Sequence, residues 1–399
     1  RKVALPDGLP PHRRYPIGSI RPNRVVPRCL KMGFFDFLRT NSRNTETSED
    51  QIIGRWPLEN GIYSDAMRGR NEIAWRVGTG WFELWFQGLE RRTAQSLGRR
   101  LAHAALEHEE YMIGLGTSDS PTGRDPRTWS RTSLLWETSG LGRFGLLEDE
   151  EESRLLIENP SSGPICSGVI TASWEAATGK RHRFLWSEGK EDGLVVTLTQ
   201  DDAKFPSPKP PNLEWKNPSV LSPGKDAGSE ENWLDLRIDS PGKWSIMGER
   251  RMFIHLDLMR RFEEYCLPYI DAIHDGRSES FIWEGIESTR SLWWSAAADS
   301  ARERFVSEGH HVLVRNNSDW IQVARRHLSR NGLGEVTSAE STSENGGVTF
   351  NFSSTFHPAI SSGILLACWE RAFGRNGRLN AVIRDSKLTI EIRPAREIS

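Results

Sequence analysis

The chain has 399 residues, 37% hydrophobic and 27% charged, with a net charge of −2. That length holds two domains of ordinary size, each able to bury a core. The near-neutral balance excludes nucleic-acid binding driven by overall charge. No apolar run approaches the ~20 residues a membrane-spanning helix needs, so no transmembrane segment is expected.

Residues 1–31 hold six prolines and eight Lys or Arg against the single acid Asp7. The prolines forbid an amphipathic helix there, and Met32 reads as a start site with 1–31 as upstream sequence outside the native protein. Phe34, Phe35, Phe37 and Leu38 then read as a short docking turn. Residues 40–54 are polar and read as mobile, which makes 1–55 a disordered N-terminal segment.

From Trp81 to Tyr111 apolar residues recur at helical spacing, and the stretch reads as one long helix. A short helix follows over Trp129–Glu137, ending at the Ser139-Gly140 cap signal. Phe144–Leu147 and Leu155–Ile157 read as strands. Arg183–Trp186 and Leu194–Thr199 read as a hairpin turned near Asp192-Gly193. Six prolines from Pro206 to Pro223 mark a linker over 203–243.

Beyond the linker the same order recurs. Phe253, Leu256, Phe262, Tyr265 and Tyr269 suggest one helix, and Ile282 through Phe305 a second. Val312–Val314 reads as a strand, Ser318 as the cap of a helix carrying Trp320, and Val348–Phe352 as a strand. Asn380–Ile383 with Leu388–Ile392 forms a closing hairpin.

One motif occurs in both halves. Ser167–Gly179 and Ser362–Gly374 match at seven of thirteen positions at a constant offset of 195, as S-G-x-x-x-A-x-W-E-x-A-x-G. Gly140-Leu141-Gly142 and Gly332-Leu333-Gly334 repeat a turn upstream of each copy. The chain therefore reads as two copies of one helix-rich α/β (α+β) domain with a small antiparallel sheet. Repeat 1 spans 56–202, repeat 2 spans 244–399, and the two pack as a pseudo-dimer. Gly inside a helix costs about 1 kcal/mol against Ala, so Gly168 and Gly363, each four residues before Ala172 or Ala367, mark a face of close approach.

This helix, preceded by a G-L-G turn and followed by a C-terminal hairpin, resembles the vinyl-reductase or hydrocarbon-binding domain, distantly related to vesicle-tethering TRAPP subunits. The resemblance covers Gly140–Thr199 and Gly332–Arg393 best. It implies an α/β sandwich, a hydrophobic ligand pocket and dimerisation. Family members often carry zinc-binding cysteines around the closing hairpin, whereas 180–200 and 375–393 contain none. No metal and no cofactor are expected.

Gly140–Gly145 fits G-x-G-x-x-G by letter, but a helix precedes it where a dinucleotide site needs a strand. His103, Glu107 and Glu110 share a helical face without an equivalent in the other half, and read as solvated. The four cysteines form no C-x-x-C pair, which fits a reducing, cytoplasmic setting. Candidate ligand-binding residues are Trp85, Gly168, Ala172, Trp174, Glu175, Trp294, Gly363, Ala367, Trp369 and Glu370. The favoured function is non-catalytic binding of a small hydrophobic ligand, or service as a scaffold for a protein partner. The alternatives are an enzyme for apolar or aromatic substrates with Glu175 or Glu370 as a buried base, and a membrane-tethering subunit.

Overall fold

A computed structural model describes residues 47–116, 120–149, 152–202, 207–210, 232–343, 346–384 and 387–396. Residues 1–31, the Phe34–Leu38 stretch and most of the Pro-rich linker lie outside the described residues.

The first half runs α1 (Glu49–Arg55), β1 (Leu58–Glu59), β2 (Ile62–Asp65), β3 (Gly69–Gly78), α2 (Thr79–Thr93), α3 (Gly98–Gly114) and α4 (Ser130–Ser139). It continues with β4 (Arg143–Asp149), β5 (Ser153–Glu158), α5 (Gly163–Thr178), β6 (Arg181–Glu188) and β7 (Leu194–Asp201). The second half runs β8 (Leu236–Ser240), β9 (Lys243–Ile246), β10 (Glu249–His255), α6 (Leu256–Cys266), β11 (Phe281–Glu284), α7 (Ser288–Ser307) and α8 (Asn317–His327). It closes with β12 (Gly334–Ser341), β13 (Val348–Thr355), α9 (Pro358–Phe373), β14 (Gly377–Arg384) and β15 (Lys387–Pro394).

Among the described residues the fold is mixed α/β with three small sheets. The central one has the order β1-β2-β3-β10-β9-β8, with three strands from each half. Its middle pair is antiparallel, with Ala74 opposite His255 and Gly78 opposite Arg251. The first half closes with β4-β5-β7-β6, and the second with β12-β13-β15-β14-β11, the same order plus one strand. β11 lies parallel to β14, with Phe281 beside Leu379 and Trp283 beside Ala381.

Local chemistry explains the boundaries. Ser48 and Gln51 form a reciprocal capping box that starts α1. Both motif helices carry Pro in the first turn and end on a left-handed glycine, Gly179 at φ 68° and Gly374 at φ 66°. Leu388, Ile390 and Ile392 of β15 are buried while Thr389 and Glu391 are less so, the period-two pattern of a one-sided strand. The main core lies between the helices and the two closing sheets. A smaller aromatic core, with Trp56, Tyr63, Trp233, Trp244 and Phe253, covers the central sheet.

Contacts between the halves are reciprocal. The Gly142 N–H donates to Gly242 O at 3.0 Å, and the Gly334 N–H donates to Gly61 O at 2.9 Å. Each G-L-G turn thus sits on the other half's N-terminal hairpin.

Several boundaries differ from the sequence reading. The helix expected over Trp81–Tyr111 is two helices, separated where Ala94 turns left-handed at φ 51°. α1 begins at Glu49, within the stretch read as mobile, and buries Ile52 and Arg55. β8 begins at Leu236, inside the stretch read as linker, so Trp244 lies in the second strand of its half. Phe253 and Ile282 are strand residues rather than helical ones. Val312–Val314 is not a strand. Asn316, not Ser318, caps α8, because its side chain accepts from both Ser318 N–H and Asp319 N–H.

Candidate functional site: the motif helices and the groove beside β6

The small faces of α5 and α9 are filled by protein. A Cβ on Gly168 would stand 2.1 Å from Ala102 O and 2.8 Å from Ala105 Cβ of α3. A Cβ on Gly363 would stand 2.0 Å from Ala298 O and 3.0 Å from Ala301 Cβ of α7. Ala172 and Ala367 are buried on the same helices. Glycine is needed because one helix backbone lies against another. The space expected to hold a hydrophobic ligand on this face is occupied by the partner helix.

The tryptophans singled out from the sequence are core residues, none more than 1% exposed. Trp85 donates its indole N–H to Ala297 O at 3.1 Å, tying α2 to α7 of the other half. Trp294 donates to Glu263 Oε2 at 2.9 Å, and Trp369 to Gly346 O at 2.8 Å. Trp174 packs against Trp129.

Glu175 and Glu370 do one job in both halves. Glu175 accepts the backbone N–H of His182 at 2.6 Å and an Arg181 guanidinium N–H at 2.7 Å. Glu370 accepts the backbone N–H of Gly377 at 3.0 Å, Arg277 at 2.7 Å and Arg302 at 3.1 Å. Each carboxylate clasps the start of the strand that follows its helix. Burial pushes the Glu175 carboxyl above the usual carboxylate range, against the pull of His182 N–H and Arg181. Both oxygens of each Glu are engaged in these bonds.

Beside this clasp in the first half lies an open groove of ≈ 750 Å³. Its walls include Arg99, His103, Glu107, Glu110, Phe184 and Tyr265, and Glu175 and Arg181 line it as well. Arg181 binds both Glu110 and Glu175, and the bond to Glu110 raises its pKa. Arg99 lies over the rings of Phe184 and Trp186 and donates from Nη1 to Phe184 O at 3.0 Å. Of the ten candidates from the sequence, Glu175 lines this groove, and Ala172 and Glu175 line a smaller pocket of ≈ 160 Å³ next to it.

Sequence reading put His103, Glu107 and Glu110 on one helical face and took it as solvated, whereas all three line the groove; the groove's other walls it missed. The repeat pointed to residues shared by the two halves, whereas the groove exists where they differ. A further signal was loop length: four residues, 94–97, join α2 to α3, but 267–287 join α6 to α7.

Among the described residues, no group of three or more His, Cys, Asp or Glu side chains is arranged to hold a metal ion. Among the same residues, no helix is long and apolar enough to cross a membrane. Comparison with protein-family models, with curated proteins and with solved structures finds no match to this chain.

Proposed function

We propose that the chain is a tandem of two related α/β units packed as an internal pseudo-dimer, and that it works as a non-catalytic binding scaffold. The shared element order, the shared strand order and the reciprocal turn contacts support the tandem. In each half, helices, a hairpin, a small-faced helix and a closing hairpin follow one another, which supports a hydrocarbon-binding-like origin. Three free, buried thiols, Cys166, Cys266 and Cys368, favour a cytoplasmic setting.

One observation carries the scaffold reading over both a small-ligand pocket and an enzyme. The repeated motif is spent on packing and on clasping a strand, which leaves a partner to a surface outside it such as the open, amphipathic groove beside β6. An open groove with apolar walls and fixed charges suits a polypeptide better than an enclosed hydrocarbon.

The test is panning a random peptide library against the intact protein, with recovered peptides titrated by calorimetry. Binding at one peptide per chain, weakened by His103→Ala with Tyr265→Ala and leaving the peptide chemically unchanged, is the expected result. Both side chains are exposed in part, so the fold survives their removal. Saturable binding of a long-chain fatty acid that no peptide displaces would overturn the scaffold reading.

A further inference from the structure

The two closing sheets differ in one strand, and the difference indicates what the groove accepts. In the second half β11 covers the outer edge of β14. In the first half, among the described residues, no strand pairs with the outer edge of β6. The helix contacts fix the correspondence. Ala102 and Ala105 meet Gly168 as Ala298 and Ala301 meet Gly363, so α3 maps onto α7 at an offset of 196. His182 takes the Glu175 clasp as Gly377 takes that of Glu370, so β6 maps onto β14 at 195.

The 267–287 loop fills the second half's counterpart of the groove. The Arg277 N–H donates to Asp299 Oδ2 at 2.7 Å, and its side chain reaches Glu370 and Gly377 O. Those positions correspond to His103, Glu175 and His182, all of which line the groove. Trp283 of β11 then donates to Ser295 Oγ at 2.9 Å and packs edge-on to Trp294. The counterpart of Ser295 is Arg99, the side chain that caps Phe184 O.

The outer edge of β6 is presented in the right register. His182 N–H turns to Glu175 and Phe184 O turns to Arg99, so alternate residues from His182 to Glu188 point their amides away from β7. An edge that no described strand covers offers the backbone groups an added strand pairs with.

We propose that the groove and the outer edge of β6 accept an extended polypeptide segment of another protein as a fifth, parallel strand, in the place β11 holds in the second half. This rests on the scaffold reading above. Side-chain volume sets the preference. In the second half the small Ala381 sits beside the large Trp283, whereas in the first half Trp186 occupies the position of Ala381. The incoming residue beside Trp186 is therefore small or β-branched, and the one beside Phe184 is apolar. Main-chain hydrogen bonds supply affinity and alternate side chains supply selectivity.

The probe is a synthetic peptide copying Arg277–Glu284 with Trp283→Val, added to the intact protein. Hydrogen exchange at the Phe184 and Trp186 amides should slow on binding. By the β11 register, the amide at the Ile282 position faces β6 and that at the Phe281 position faces away. N-methylation at the first should weaken binding about tenfold, the cost of roughly one hydrogen bond, and at the second should leave it unchanged. Arg99→Ala, which uncovers Phe184 O, should tighten binding. A peptide that perturbs His103 and Tyr265 without protecting the β6 amides would overturn strand addition while leaving the scaffold reading intact. Equal loss from both N-methylations would overturn it too, as would no binding at millimolar peptide. Protection of the β6 amides that rises with protein concentration and is insensitive to peptide would assign the edge to a second copy of the chain instead.

Discussion

Glu175 and Glu370 are each held by a backbone N–H and by arginine, and that is the work of a clasp. The glycines seven residues earlier are equally committed to structure. Gly168→Leu and Gly363→Leu each force a side chain into the backbone of a neighbouring helix, and each should destabilise by about 1–3 kcal/mol, as overpacking does. Urea midpoints measure it, and since leucine favours helix over glycine, a raised midpoint would refute the close approach. A second residue-scale effect concerns acid. His255 donates towards Asp65 Oδ2 at 3.0 Å, within a buried cluster that includes Arg55, Arg68 and His108. Burial pushes the His255 imidazole down to about 4, against the pull of Asp65. The unfolded chain therefore binds a proton near pH 6.5 that the folded chain refuses until about pH 4. The resulting stability is complete above pH 6.5 and is lost as pH falls towards 4, by up to about 3 kcal/mol. Burial likewise holds His327 down to about 4, so its contribution has the same sign and window. Asp65 and Asp257 are both held below the ordinary range, and their contribution is lost only at lower pH. Thermal melts between pH 7 and 4.5 should show the loss, and His255→Gln should flatten it in part. An equally steep acid loss in that variant would exclude His255 as a source.

Elements were legible wherever periodicity and cap chemistry agreed. The hairpin β6–β7, the strand pair β4–β5 and the closing hairpin β14–β15 all follow alternating apolar residues bounded by turn residues. The α2–α3 pair was read as one helix because both helices bury a face of the same period. The break spans 94–97 and starts where Ala94 turns left-handed, and because Ala, Gln and Leu all favour helix, propensity gives no sign of it. β11 and all six strands of the central sheet were missed for a different reason. The pairs that hold them, β3 with β10 and β11 with β14, join residues distant in sequence. The groove was only partly legible for the same cause, since among the described residues the second half has an edge strand that the first half lacks. The two edges should also differ energetically. Trp283 is 8% exposed under a paired strand, so Trp283→Ala should cost about 3–5 kcal/mol. Trp186 stands on the β6 edge, which no described strand covers, and is only partly buried, so Trp186→Ala should cost about 1–2 kcal/mol. Denaturant titration of the two variants checks the order, and equal losses would mean that β6 is as well covered as β14.

At the scale of the whole molecule, neither half completes its own packing. β3 needs β10, and α2 packs on α7 through the Trp85 bond to Ala297 and the Ser300 bond to Trp85 O at 2.6 Å. A buried ion pair also crosses between the halves, where Arg92 meets Asp299 at 2.8 Å with both side chains at 1% exposure or less. Breaking such a pair by removing one partner leaves an uncompensated buried charge, which costs about 3–5 kcal/mol. Separating the halves would strand several such groups at once, along with the apolar surface of the central sheet. Residues 44–210 made alone should therefore be unfolded or aggregated, although the sequence reads as two domains. The covalent link matters less than the surface it joins, because closing a loop costs entropy that grows only slowly with its length. Two separate chains, 44–210 and 232–399, should then assemble when produced together and elute as one complex. Circular dichroism and size-exclusion chromatography distinguish the outcomes. A first half that folds cooperatively on its own, with a sharp melt and no tendency to pair with the second, would show that the shared sheet joins two finished domains.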